Sequence, residues 1–365
     1  MAATLYAFNL WNLQNGLRRV ENKRQVIKVS LPSPGGVSAP KGLGITMTVS
    51  RDPSVYVKPS GLYVHDPTDR WEFQNTSVPL WMKDYFSWHK ETRLSLRPDN
   101  WDRNKYLKIM CPENKRKCGG LADRIGPMPY LIRIAAQTHR LLLIEWGKPA
   151  PLEEYLLPPL GGLDWRVPKH IVPLLEQKGG YGKTHDEVLD YALDDNNVVA
   201  QIKFQSHDHG ATYYNAYRQA GEPEFHVVYH DMWRILFTPS ERIASKLEKV
   251  WRENKLTPGL YSSAHLRALY AVTSRPSPWI RRWTRNAVDC LAQRGDRVYF
   301  ASDSNVATRA AVEYGLDIGI TVVSASQHEM PALHIDKTAN WKELDASDFD
   351  PTFVDLYLLG SSRCV

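Results

Sequence analysis

Apolar segments of strand length and of helical spacing alternate along the chain from about residue 106 onward. "KYLKIM" around Tyr106 is predicted to be a first strand, and "RLLLIEW" from Arg140 to Trp146 is a short apolar run. Runs of this kind are typical of parallel strands that are covered on both faces. The pattern therefore favours an α/β protein.

A glycine turn and a helix are predicted between these two strands. Gly119 and Gly120 form the tight turn, and Pro127 and Pro129 reduce helix propensity, so we expect a kink or a late helix start. The apolar positions at helical spacing are Leu121, Ile125, Met128, Ile132 and Ala135. A glycine turn, a helix and then a buried strand usually open a nucleotide-binding α/β domain.

Downstream, the helix signals are clearer. "TPSE" at residues 238–241 is a predicted capping box with proline at the first helical position. The apolar face of that helix consists of Ile243, Leu247, Val250 and Trp251. "NKLTPG" at residues 254–259 then breaks the pattern, which makes it the best candidate for a boundary between lobes.

After this break, strands and helices alternate regularly. "GLYSSAHLR", "RVYFASD" and "GITVVSA" are predicted strands, and the helices between them run from Ser277 to a stop at Gly295 and from Ser304 to Gly315. This alternation specifies a parallel, doubly wound sheet. We therefore predict an irregular N-terminal segment at residues 1–100, an N-terminal α/β lobe at 101–254 and a C-terminal nucleotide-binding α/β lobe at 255–365, with a cleft between the lobes.

Composition narrows the class of protein. The chain has 365 residues, a net charge of +6, twelve Trp and eighteen Tyr. Aromatic platforms suit sugars or bases, although most such side chains serve a core. Short basic clusters at residues 114–117 and 280–285 lack the long stripe or motif of a nucleic-acid binder, so we expect no nucleic-acid partner. We find neither a bilayer-spanning run nor a convincing signal peptide.

The four cysteines include no CxxC pair, which argues against a zinc site. Cys111 and Cys118 flank a polar loop and either pair in an oxidising compartment or remain as buried thiols. A metal site at "SHDHG" (His207 and His209) lacks an obvious third ligand, and "HEMPALH" is a weaker candidate still, so a polar loop is favoured. No GxSxG, P-loop or HExxH motif occurs.

Candidate chemistry lies where two strands of the second lobe end. His265 and Arg267 are two residues apart and would share one face of a strand, and Asp303 and Ser304 follow the next strand at the start of a helix. Ligands of open α/β sheets bind at this edge, and a helix N-terminus there favours phosphate. Arg267 could bind phosphate through two hydrogen bonds. The alternative is structural, with Asp303 capping the helix and Arg267 pairing with it.

Four motifs, "GGLADR", "HLR", "FASDS" and "DLYLLGSSRC", occur in the order and approximate spacing of the GDP-fucose-dependent fucosyltransferase superfamily, which includes the protein O-fucosyltransferases. The resemblance covers about three quarters of the chain. It implies a GT-B-like fold of two facing Rossmann-like lobes and an inverting, metal-independent transferase. GDP-fucose would be the donor substrate, a protein or glycan hydroxyl the acceptor, and no further cofactor would be needed.

The resemblance also assigns roles to residues. Arg267 would contact the β-phosphate and the glycosidic oxygen as the catalytic cation, and His265 would hold the nucleotide. Arginine remains protonated and can stabilise the charge that develops on the departing diphosphate. The other donor-binding residues that the motifs imply are Gly119, Gly120, Asp303, Ser304, Ser361 and Ser362.

The chain departs from the family pattern in three respects. Many relatives carry Asn after the glycine turn, where this chain has Ala122 and then Asp123, a possible acceptor-side base. The resemblance implies a Golgi or endoplasmic reticulum lumenal protein with an N-terminal anchor, yet we recognise no such segment, and relatives continue beyond the serine motif. We expect a truncated sequence to explain both ends. A transferase of another nucleotide sugar and a catalytically silent binding module remain open alternatives.

Overall fold

The computed structural model describes residues 76–111, 118–177, 179–182, 185–194, 196–203, 214–216, 218–268, 277–325, 333 and 341–363. Its strands are β1 (Lys105–Cys111), β2 (Arg140–Trp146), β3 (Leu156–Leu157), β4 (Gly179–Gly182), β5 (Val199–Lys203), β6 (Thr238–Pro239), β7 (Ser262–Leu266), β8 (Arg297–Ser302) and β9 (Thr321–Val323). Its α-helices are α1 (Leu80–Ser95), α2 (Leu121–Ile125), α3 (Met128–Gln137), α4 (Val172–Gln177), α5 (His185–Leu193), α6 (Phe225–Leu236), α7 (Glu241–Glu253), α8 (Ser277–Ala292), α9 (Asn305–Asp317) and α10 (Asp350–Gly360).

Two separate parallel sheets confirm the predicted α/β class. The first has the strand order β2-β1-β5-β4, and the second has the order β7-β8-β9. A short antiparallel pair, β3 with β6, lies outside both sheets. The strands predicted from "KYLKIM" and "RLLLIEW" are β1 and β2, and they pair from Lys105 opposite Arg140 to Cys111 opposite Trp146.

Helices cover both faces of the sheets, which is why the strand sequences are apolar without alternation. In β1, Leu107 and Ile109 belong to the main core, whereas Tyr106 belongs to a smaller core on the other face. In β8, Val298 and Phe300 pack with α8 and α9, but Tyr299 faces the main core together with residues of the first sheet. One continuous core therefore joins the two sheets.

The proline-containing helix after the glycine turn divides as the sequence predicts. The chain forms α2, turns at Gly126 and Pro127, and starts again as α3 with Pro129 in its first turn. Proline is tolerated there because the first N–H groups of a helix have no intrahelical acceptor. The eight residues Met128–Ala135 are all buried, so α3 lies deep in the first half of the molecule.

Three local predictions need correction. The segment predicted to be irregular contains helix α1, which buries Met82, Tyr85, Phe86 and His89. The capping residue of α7 is Ser240, whose hydroxyl accepts from the Ile243 N–H, because Thr238 and Pro239 are extended in β6. Gly315 does not end α9, which continues to Asp317.

Gly315 is needed for close packing of the helix and does not end it. A Cβ atom at this position would lie 2.4 Å from Val322 Cγ2 and 2.8 Å from the Ile320 carbonyl oxygen. The absence of a side chain thus lets the strand after α9 pass directly against the helix.

Helix α10 packs against α7 and against the second sheet. Asp350, at its start, is fully buried and lies 3.1 Å from Arg242 Nε and 2.8 Å from Lys246 Nζ of α7. Phe353 stacks on Tyr155 with ring centroids 4.1 Å apart, and Asp355 accepts a hydrogen bond from Tyr299 of β8. The main core contains residues from both sides of position 255, and α10 contacts residues on both sides. The boundary between lobes near residue 255 therefore stays a prediction.

The Asp355–Tyr299 contact predicts a pH-dependent stability. Burial raises the pKa of Asp355 to about 7, and the hydrogen bond from Tyr299 opposes that rise only in part. Between about pH 4 and pH 7 the folded protein therefore binds a proton that the unfolded chain releases, so the free energy of unfolding falls as the pH rises through this window.

We expect Asp355→Asn to raise the free energy of unfolding at pH 8 by roughly 1–2 kcal/mol and to leave it little changed at pH 4. Urea unfolding at both pH values measures the difference. Asp289→Asn is the matched control, because Asp289 also accepts from a tyrosine hydroxyl, that of Tyr314, but at an exposed site. An unchanged pH slope in Asp355→Asn would contradict the prediction.

A disulfide joins Cys111, the last residue of β1, to Cys118. Of the two alternatives for these cysteines, the structure thus contains the paired form.

Within the described part of the chain, no helix is both long enough and apolar enough to span a bilayer.

Candidate functional site

The carboxyl ends of β7 and β8 bring the predicted histidine, arginine and aspartate together. The two strands are paired in parallel, with His265 opposite Ala301 and Leu266 opposite Ser302. Arg267 and Asp303 are the first residues after these strands. Asp303 Oδ1 accepts a hydrogen bond of 2.6 Å from the Ala268 N–H. Asp303 thus links the end of β8 to the backbone directly after Arg267.

The charges of Asp303 and Arg267 affect the pKa of His265. The residue as a whole is exposed, yet protein atoms around its ring desolvate it, and this is the largest cause of a lowered pKa. Asp303 opposes that shift by attraction, and Arg267 adds to it by repulsion. The lowered pKa keeps the imidazole mainly neutral at pH 7. A neutral imidazole can both donate and accept hydrogen bonds.

A helix N-terminus lies beside these side chains. Ser304 is the N-cap of α9, and its buried hydroxyl accepts from the Ala307 N–H. Ser302 supports the turn, since its hydroxyl donates to the Leu266 carbonyl and accepts from the Ser304 N–H. The side chain of Ser304 thus has a capping role, and the partial positive charge of the α9 N-terminus is directed toward the strand ends.

The late serine pair is attached to the same sheet. Ser362 Oγ and Ser263 Oγ are 2.7 Å apart, which joins the end of α10 to β7. Ser361 is buried, its hydroxyl donates to the Tyr357 carbonyl, and its own carbonyl accepts from the Gly259 N–H at 2.7 Å. Ser263 was not among the candidate site residues, and its place in the small-residue run before His265 was the only signal for it.

The glycine turn belongs to the first half of the molecule. Gly119 has a φ of 78°, and a Cβ there would lie 2.8 Å from Asp123 Cβ, so this position requires glycine. The Gly120 N–H donates to Asp123 Oδ2 at 2.8 Å, and buried Arg124 donates to the Gly119 carbonyl at 3.0 Å. The hydrogen bonds described for this turn are local, and Asp123 caps α2.

The predicted donor residues therefore form two groups. His265, Arg267, Asp303, Ser304, Ser361 and Ser362 lie in or beside the second sheet, and Gly119, Gly120 and Asp123 lie at the end of β1. The basic cluster at residues 114–117 and the histidine motifs at 206–210 and 328–334 lie outside the described residues, except for position 333. No cluster of metal-ligating side chains is found among the residues that the structure describes.

Known proteins are similar to this chain in fold and not in sequence. No family model and no curated protein matches it. A mutant of Arabidopsis thaliana FUT1 in complex with GDP has a TM-score of 0.54 and 12% identity, covering 78% of this chain and 72% of that one.

Two further structures are more distant. The fucosyltransferase NodZ from Bradyrhizobium has a TM-score of 0.43 and 13% identity, covering 72% of this chain and 87% of its own. POFUT1 in complex with GDP-fucose has a TM-score of 0.35 and 12% identity, with coverage of 62% and 85%. The similarity to the Arabidopsis structure supports a GT-B-like α/β fold for this chain.

Proposed function

We propose that the protein transfers fucose from GDP-fucose to a hydroxyl group of a protein or glycan acceptor, with inversion at the anomeric carbon. The observation that supports this most is the group formed by His265, Arg267 and Asp303 at the carboxyl edge of β7 and β8, beside the N-terminus of α9. That edge is where open α/β sheets bind nucleotides. The Arabidopsis structure of similar fold was solved in complex with GDP.

In the proposed reaction, the acceptor oxygen attacks the anomeric carbon as the bond from this carbon to the diphosphate oxygen breaks. The electron pair of the broken bond passes to GDP, and the acceptor proton passes to a base, for which Asp123 is the candidate. Arg267 would hold the β-phosphate and the departing oxygen through its planar guanidinium. The stabilisation by Arg267 would grow as negative charge develops on that oxygen. Because it would be stronger in the transition state than in the ground state, it would lower the activation barrier.

The remaining residues would position the donor. The largely neutral imidazole of His265 suits a hydrogen bond to the nucleotide, and the Asp303 carboxylate can accept from guanosine or ribose. The N-terminal N–H groups of α9, which Ser304 begins, would attract phosphate. Ser361, Ser362, Gly119 and Gly120 are the further candidates for donor contacts.

A lumenal location in the Golgi or endoplasmic reticulum is part of the proposal. The Cys111–Cys118 disulfide supports it, because such bonds persist mainly in oxidising compartments.

The proposal is tested with a panel of nucleotide sugars, by measuring nucleotide release and thermal stabilisation of the protein. Hydrolysis of GDP-fucose in preference to other donors supports it. Turnover of a different donor would favour a transferase of another sugar, and stabilisation by GDP-fucose without turnover would favour a silent binding module.

We also expect activity to persist in millimolar EDTA, because the proposal assigns charge neutralisation to Arg267 and to the α9 N-terminus. The measurement is the initial rate with and without the chelator, and mock-treated protein is the control. Loss of activity that manganese restores would contradict this expectation.

A further inference from the structure

A cleft lies on the first half of the molecule, between α1 and the end of α3. It has a volume of about 410 Å³ and is open to solvent. Small-molecule sites commonly enclose roughly 300–1,000 Å³. The residues that matter here are Trp81, Asp84, Trp88, Gln137, His139 and Gln219. We call it the α1–α3 cleft, and none of its lining residues comes from β7, β8 or α9.

Two half-buried tryptophans form its walls, and neighbouring side chains hold their rings in place. The Arg133 guanidinium lies 4.6 Å from the centre of the Trp81 ring, and His139 lies 4.2 Å from Trp88, centroid to centroid. Tyr85 is 5.7 Å from Trp88 on the same helix. Rings fixed in this way present apolar surface to a ligand without losing side-chain freedom on binding.

His139 lies in the left-handed region of backbone conformation, which is uncommon for residues other than glycine. Its φ is 52°, and it follows the last turn of α3, where glycine or asparagine is usual. A histidine in this position has a conformational cost that glycine would not have. What the chain gains is an imidazole against Trp88 at the edge of the cleft. Backbone outliers of this kind are common at binding sites.

The polar lining indicates the chemistry of the ligand. Asp84, Gln137 and Gln219 are exposed and supply a carboxylate and two amides, which both donate and accept hydrogen bonds. The one guanidinium in the lining, Arg133, is paired with Glu222, so its charge is not available to an anion. A cleft that combines tryptophan walls, neutral amides and a carboxylate suits an uncharged ligand with many hydroxyl groups.

From these observations we infer that the α1–α3 cleft binds a neutral sugar residue of a glycan, at a site separate from the proposed donor site. The apolar face of a pyranose would lie against the indole rings, and its hydroxyls would bond to Asp84, Gln137 and Gln219. The inference does not depend on the proposed transfer reaction, because it concerns binding alone.

Saturation-transfer NMR tests it directly. The probes are neutral methyl glycosides and oligosaccharides, a uronic-acid glycoside as the anionic comparison, and GDP as a competitor. We expect at least one neutral glycan to receive saturation with GDP present at saturating concentration. The dissociation constant should rise about tenfold in Trp88→Ala and about fivefold in Asp84→Ala. Asp84 is exposed, so the second variant preserves the fold even where the first does not.

Trp279→Ala is the matched control, since Trp279 is 52% exposed on α8 and outside the cleft. It should bind the glycan as the wild type does. Absence of binding by every neutral glycan would overturn the inference. So would equal binding by Asp84→Ala and wild type, loss of binding in the presence of GDP, or a preference for the anionic glycoside. Failure here leaves the GDP-fucose assay unaffected, so the two proposals can fail separately.

Discussion

Replacing Arg267 by lysine is expected to lower kcat about a hundredfold, which corresponds to about 3 kcal/mol, and to leave the melting temperature and much of the affinity for GDP unchanged. Lysine keeps the positive charge but lacks the planar guanidinium that can bond two oxygens at once. The loss should therefore appear where charge develops on the departing oxygen. Steady-state rates and melting curves for the variant and the wild type measure both effects.

His265→Ala is the comparison for this experiment. It should weaken donor binding more than it lowers kcat, because we assign His265 to holding the nucleotide. If Arg267 serves only as an ionic partner of Asp303, lysine should be tolerated in catalysis and a shift in melting temperature should dominate. Near-wild-type turnover of Arg267→Lys would disprove the catalytic role.

The second large effect concerns stability. Removing both cations that face Asp350, in the variant Arg242→Ala with Lys246→Ala, is expected to lower the free energy of unfolding by about 2–3 kcal/mol. Asp350 is fully buried, so in this variant its carboxylate would lose its described counterions. The expected loss is below that for a fully buried pair because Arg242 and Lys246 are themselves 34% and 46% exposed. Urea unfolding measures it.

A third substitution shows whether the unpaired charge of Asp350 or the other lost contacts of Arg242 cause the loss of stability. Arg242 also donates to Glu154 and lies 5.7 Å from the Tyr155 ring centre, and these contacts disappear in the double variant as well. Adding Asp350→Asn removes the unpaired charge and should restore at least half of the lost stability. If the triple variant is no more stable than the double variant, the lost contacts of Arg242 account for the effect and the buried charge does not.

The elements that the sequence predicts well are those whose signals are local. Strands such as β2 and β8 are continuous apolar runs, and the break between α2 and α3 follows from Pro127 and Pro129. Helix α1 was missed although Met82, Tyr85, Phe86 and His89 have helical spacing. Two of its buried positions carry tyrosine and histidine, whose polar atoms bond to the backbone at Arg140 and Leu142, so its inner face does not look apolar in sequence.

The site shows the same division between local and distant information. The proximity of Arg267 and Asp303 follows from the rule that parallel strands end at one edge, and so could be predicted. The Ser263–Ser362 contact joins residues 99 positions apart, and the pairing of Thr238 with Leu157 moved the cap of α7 to Ser240. Contacts of this kind depend on tertiary packing, which spacing along the chain does not encode.

Helix α10 has a consequence for how the protein melts. Its side chains contact Tyr155 on one side and Tyr299 on the other, and the core that it completes contains residues of both sheets. Neither half can then lose its structure without exposing apolar surface of the other. We expect a single calorimetric transition whose van't Hoff and measured enthalpies agree, in place of the two steps of independently folding domains. Amide protons of α10 should be among the last to exchange with solvent, because they are released only when the whole molecule unfolds.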